Sequence, residues 1–217
     1  MILLTKSPEP HVLVQNGTRW KTDFMSWHHN RIGNEPRHYA HDEIRRALRD
    51  ETHAKCAYCE SRINDASYDH IEHKRPKSKF PELVCTWANL TIACPRCNTN
   101  KGDFDNPICP LLDPYVDDVE HEVAFGGPLA LPRGGPRASA TINLLDLNRM
   151  ELLYSRGQIL TNINRLLDMI DRATGQSELI ESLWIEIDRL LGEKQEFASA
   201  CRQFVAWQIV ERGLART

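Results

Sequence analysis

From residue 150 onward the apolar positions recur every three to four residues. Leu152, Leu153, Ile159, Leu160, Ile163, Leu166, Leu167 and Ile170 make one stripe, and Leu179, Ile180, Leu183, Trp184, Ile187, Leu190 and Leu191 make a second. That spacing gives two helices one apolar face each, with Ser177 as the N-cap of the second. Phe197, Cys201, Phe204 and Val205 continue the second helix or pack back on it. The stripes predict a helical core, part of whose surface can receive a partner.

The earlier chain is less regular. "PRHYAHDEIRRALRDE", starting at Pro36, sets Tyr39, Ile44, Ala47 and Leu48 near one face and predicts a helix. Residues 1–35 show no clean period; beside Trp27, the run "HHN" at 28–30 reads as a capped turn over a small apolar cluster. Residues 104–136 hold six prolines and four glycines, with "GGP" twice, and predict loop plus a short hairpin around "VEHEVAF". "TINLLDLNR" at 141–149 reads as a buried strand or turn leading into helix.

Composition places the chain among ordinary soluble globular proteins, at 41% hydrophobic. "MILL" runs straight into Lys6 and Pro8, so no secretory leader is expected, and no apolar run reaches the ~18 residues of a membrane span. The expected location is the cytoplasm. A net charge of −3 argues against nucleic-acid binding by the chain as a whole, but a local basic face remains open.

The seven cysteines change the picture more. Cys56-x-x-Cys59 and Cys94-x-x-Cys97 form two knuckles, while Cys85, Cys109 and Cys201 are scattered. An odd number argues against a disulfide framework, and two knuckles predict four thiolates around one tetrahedral zinc. Reduced core cysteines or a redox dithiol are the competing readings; the doubled spacing disfavours the first, and redox chemistry needs only one pair. The 34 residues between the knuckles exceed those of a simple zinc ribbon, so a functional insert is expected there.

That insert contains "EHKRP" at 72–76, "WANL" with Asn89, and then "CPRCNTNKGD" with Asn98 and Lys101. Together with the knuckles, these motifs resemble the HNH endonuclease family. The resemblance implies an α+β fold: a zinc-stapled ββα-metal core with an N-terminal helix and a C-terminal helical region. The corresponding division is 1–52 (N-terminal helical), 53–110 (nuclease core), 111–147 (Pro/Gly-rich loop or hairpin) and 148–217 (C-terminal helical).

The chain offers two acid–histidine pairs, Asp69–His70 and Glu72–His73. The family pattern puts a proline three residues after its histidine, and Pro76 stands three after His73, so the register selects Glu72–His73. By this resemblance His73 is the general base, and Asn89 fixes its tautomer by accepting from the ring N–H. Glu72 and Asn98 would then hold a divalent cation, Mg2+ or Mn2+. Neutral imidazole suits the task of deprotonating water, and hard oxygen ligands suit that cation. Glu in place of the commoner Asp, and Asn in place of the final His, leave the choice of metal open.

Arg75, Lys77, Lys79, Arg96 and Lys101 form a basic set expected to follow DNA phosphates. No base-reading helix is evident, so weak sequence preference is expected. More widely, "CAYCE", "IEHKRPKSKFPEL", "PLLDP" and "LLDLNR" resemble the nuclease subunits of Septu-type antiphage and retron-associated systems. That resemblance implies an ATPase subunit as partner in a hetero-oligomer. The chain carries no Walker A loop of its own, and its C-terminal helices and N-terminal tryptophans are the candidate docking surfaces. A catalytically silent zinc-bound binding module and an RNA-cleaving nuclease are the alternatives.

Overall fold

The computed structural model describes residues 1–63, 69–173 and 175–214. Helix α1 spans His11–Asn30 and ends where Arg31 turns left-handed (φ 55°) and returns its N–H to the Trp27 carbonyl. Trp20 and Phe24 are buried on its inner face. The N-terminal part is thus a single long helix; "HHN" is its last turn and not a separate capped turn. Its apolar contacts are few and widely spaced, which is why no clean period shows in the sequence.

A 3-10 turn, His38–Ala40, leads into α2, Asp42–Glu51, whose Ile44 and Leu48 are fully buried. Next comes the short antiparallel pair β1 (His70–His73) and β2 (Leu90–Ala93), in the register His70↔Ala93, Ile71↔Ile92, Glu72↔Thr91 and His73↔Leu90. Helix α3, Pro95–Lys101, follows directly. Proline opens its first turn, and Gly102 ends it at φ +51°, ψ −127°, a conformation that favours glycine. These three elements are the expected ββα unit.

Helix α4 (Val119–Glu122) runs into a hairpin, β3 (Val123–Gly126) and β4 (Leu129–Pro132), which has the first "GGP" at its turn. The expected hairpin is present, but it begins at Val123, because Asp118 caps the preceding residues into a helical turn by accepting from His121 N–H. Of the segment read as strand or turn leading into helix, residues 141–144 are the last turn of α5 (Gly135–Leu144), in which Thr141 donates to the Arg137 carbonyl, and the residues after them form a turn that leads into the next helix. A stretch as short as "INLL" fits either strand or helix until flanking packing decides.

Helices α6 (Met150–Arg172), α7 (Ser177–Leu191) and α8 (Ala198–Arg212) close the chain. Ser177 is the first residue of α7 rather than its cap, a position held by Gln176 with no side-chain hydrogen bond. Leu160, Ile163, Leu167, Leu183, Ile187 and Val205 form the core of this three-helix bundle. The bundle also packs on the rest of the chain, since Phe197 is buried with Leu147, Leu152 and the ββα strands in the main core. Ile163→Ala is expected to cost about 2–5 kcal/mol, read by urea denaturation, since Ile163 is completely buried and its removal leaves a cavity.

Candidate active site and metal centre

The four knuckle cysteines converge although they come from two distant turns. Cys56 and Cys59 lie on the turn after α2, Cys94 caps α3, and Cys97 is on its first turn; their sulfurs all lie within 4.8 Å of one another. Tetrahedral coordination at about 2.3 Å per sulfur requires sulfurs about 3.8 Å apart. Cys59 and Cys94 Sγ are 3.8 Å apart. The donor set therefore fits a tetrathiolate metal, and all four cysteines are free thiols.

On the other side of β1 and α3 lies a cleft of about 460 Å³, lined by Glu72, His73, His70, Asn98, Tyr39 and Lys77 among others. His73 is buried. Its Nε2 lies 3.0 Å from the Val84 carbonyl, so Nε2–H donates there and Nδ1 keeps its lone pair. The Tyr39 ring meets the imidazole edge-on at 4.8 Å. Burial, with Lys77 and Lys101 nearby, lowers the His73 pKa to about 4 against the opposing Val84 bond, leaving a neutral ring at neutral pH.

Glu72 is equally buried, and desolvation raises its carboxyl to about 7 despite the Lys101 ammonium 2.5 Å from Oε1. That ammonium is the partner of Oε1 and opposes the desolvation. The Glu72 carboxylate is a hard oxygen donor of the kind a divalent cation takes. Across the cleft, Asn98 Nδ2 donates to His70 Nδ1 at 2.7 Å, which leaves Asn98 Oδ1 free of that contact.

Several expected roles need correction. Asn89 does not touch the His73 ring. Its Oδ1 accepts from Arg75 N–H at 2.8 Å, and its Nδ2 donates to the Arg75 and Leu83 carbonyls, so it braces the loop between β1 and β2. The ring N–H goes instead to Val84, a backbone acceptor that no motif displays. Lys101 is buried and divided between Glu72 and the His73 carbonyl at 2.8 Å, so it is not part of an open phosphate-tracking face.

The remaining cations are distributed unevenly. Arg96 is exposed; Lys79 is exposed and 3.9 Å from Asp103; Arg75 stacks on Phe80 with Asp105 at 3.5 Å. Lys77, half-buried at the cleft wall, is paired with Glu35.

The sequence reading also missed partners far away along the chain. Asp69, in the second acid–histidine pair, is buried against Arg45 and Arg49 of α2, which neutralise it. His70, the histidine the register passed over, is a strand residue that accepts from Asn98. Arg149, inside the noted "LLDLNR", reaches the cysteine sulfurs. Spacing alone signals none of these, since each contact joins elements 20 or more residues apart.

The ββα unit buries an acid–histidine pair beside a four-cysteine cluster, and the sequence comparison points the same way. Residues 56–104 match the family model described as HNH endonuclease. More particularly, the chain is similar to Septu protein PtuB of Bacillus thuringiensis, at 30% identity over 177 residues, covering 79% of this chain and 66% of that protein. It is also similar to Septu protein PtuB of Bacillus mycoides (strain KBAB4), at 28% identity over 157 residues, covering 58% and 53% respectively. The chain thus spans just under two thirds of the first relative and about half of the second. Among the described residues, no helix is long and apolar enough to cross a membrane.

Proposed function

We propose that this chain is a metal-dependent endonuclease that hydrolyses DNA phosphodiester bonds as the nuclease subunit of a Septu-type defence system, working beside an ATPase subunit. The observation that carries the reading is the cleft that gathers Glu72, His73 and Asn98 on one ββα unit. His73 takes the proton of the attacking water on Nδ1, and the Nε2–H bond to Val84 holds the ring in that tautomer and orientation. Water and a phosphodiester enter through the cleft, whose lining also includes Ser78, Gly102 and Asp103.

Glu72 and Asn98 are the oxygen donors that would hold Mg2+ or Mn2+. Bound there, that ion would supply electrostatic stabilisation to the charge growing on the scissile phosphate. Lys101 favours the charged form of Glu72 against the desolvation that raises its pKa, and holds the end of β1 through the His73 carbonyl. Asn89 fixes the loop that carries Arg75 and Pro76, and with it the position of His73 relative to the substrate. Arg75, Lys79 and Arg96 remain as the exposed cations for the DNA backbone, and the four cysteines hold zinc as a staple. The partner role rests on the similarity to the two Septu proteins, and the exposed Tyr154, Ile185, Trp207 and Val210 of the bundle offer apolar docking positions.

The test is digestion of supercoiled plasmid and of an RNA of comparable length with Mg2+ or Mn2+, by the chain alone and with the ATPase. Plasmid nicking or linearisation supports the proposal. Cutting of RNA alone would move the substrate assignment, and no cutting of either in the complete complex would favour the silent binding module.

A further inference from the structure

Arg149 stands just before α6, half-buried, and points away from the bundle that follows it toward the cysteine cluster. Nη2 donates to Cys59 Sγ at 3.6 Å and to Cys94 Sγ at 3.8 Å, and Nη1 donates to Cys97 Sγ at 3.8 Å. Nη1 also donates to the Asp146 carbonyl at 3.1 Å, which anchors the guanidinium to the turn after α5. One planar fork therefore serves three of the four sulfurs. Neither the motif reading nor the proposed reaction assigns it a role.

Charge explains why a guanidinium belongs there. Four thiolates around one divalent ion carry a net charge of minus two, and uncompensated charge away from water is costly. A guanidinium stays protonated under all ordinary conditions and presents several N–H donors in a fixed plane. Hydrogen bonds from outside the ligand set commonly orient metal ligands and tune how firmly they hold. The only other N–H donor to these sulfurs among the described residues is the Cys97 backbone amide, 3.4 Å from Cys94 Sγ.

We propose that Arg149 is a positioning residue for the metal: a guanidinium clamp that offsets part of the tetrathiolate charge, slows metal loss, and ties the first helix of the C-terminal bundle to the nuclease core. This rests on the reading of Cys56, Cys59, Cys94 and Cys97 as a zinc site. Its signature is a metal-release rate that depends on Arg149 separately from overall stability.

The experiment uses the full chain. Zinc content is measured first, and then zinc release at fixed pH to the chromogenic chelator 4-(2-pyridylazo)resorcinol for wild type, Arg149→Lys, Arg149→Met and Ile163→Ala. Arg149→Met is expected to release zinc about tenfold faster or more. Arg149→Lys, which keeps the charge but loses the fork, should fall between it and wild type. Ile163→Ala weakens the bundle without touching a sulfur and should release at the wild-type rate. If Arg149→Met does not fold, Arg149→Lys decides: faster release supports the clamp and wild-type release overturns it. Equal rates in wild type and both Arg149 variants, or Ile163→Ala releasing as fast as Arg149→Met, would also overturn it. Zinc missing from the wild-type chain would overturn the metal-site reading, and the clamp with it.

Discussion

His73→Ala is expected to lose cleavage by about 10²–10⁴-fold, while His70→Ala loses about 10–100-fold and regains much of it at high Mn2+. The difference follows from what each ring touches. His73 has one nitrogen committed to the Val84 carbonyl and the other free, and burial keeps it neutral, so its removal deletes the base itself. His70 acts through Asn98: its Nδ1 accepts the amide hydrogen, and losing that contact loosens an oxygen donor that more metal can compensate. Single-turnover cleavage across a Mn2+ titration separates the two. Metal rescue of His73→Ala with none for His70→Ala would reverse the assignment.

The second large effect concerns the cysteine cluster. Cys94→Ser is expected to remove bound zinc, collapse the ββα unit and abolish cleavage, while the α6–α8 bundle keeps much of its helix. Cys94 supplies one of the four clustered sulfurs, and its sulfur also caps α3 by accepting from Cys97 N–H; serine would keep the cap, so the variant reports the loss of the thiolate. Structural zinc binding contributes about 10–16 kcal/mol in small zinc domains, as much as a typical domain's whole stability. The bundle has its own core of Leu160, Ile163, Leu167 and Ile187, so its loss is partial. Far-UV circular dichroism and limited proteolysis of the zinc-free protein check this. Mild chelation that strips only the cleft cation should stop cutting and leave the fold intact. A zinc-free chain with native protease resistance throughout would contradict the staple.

How much of this could be read from the sequence varied with the kind of signal. The knuckles were legible because tetrahedral coordination asks for cysteines at fixed short spacings, and the choice of Glu72–His73 rested on the resemblance to the family pattern that places Pro76 three residues on. The amphipathic stripes of α6 and α7 were legible for the same reason of period. Helix α1 was not: its buried Leu13, Trp20 and Phe24 are spaced too widely to form a stripe. The helical state of α5 was also hidden, since Ala138, Ile142 and Leu144 are too few to show a period after the glycines and proline that open it.

Within the site, the residue types were legible but several of their partners were not. Asn89 was seen as an element of the motif, but whether an amide meets an imidazole or a loop backbone depends on where residues 75 and 83 lie in space. Lys101 looked like a phosphate ligand because basic residues near a nuclease motif usually face solvent. Its burial against Glu72 appears only once α3 is packed on β1. Val84 and Arg149 are the clearest omissions: one contributes only a carbonyl, and the other lies 52 residues from the nearest sulfur it contacts.

The most direct test of the central claim is plasmid cleavage by the zinc-loaded chain, with its ATPase partner, as Mg2+ or Mn2+ is titrated in. The account predicts no cutting without added divalent ion, a saturable rise as it is added, and no comparable rise in His73→Ala. Undiminished cutting in a chelator that leaves zinc bound, or His73→Ala cutting at the wild-type rate, would contradict it.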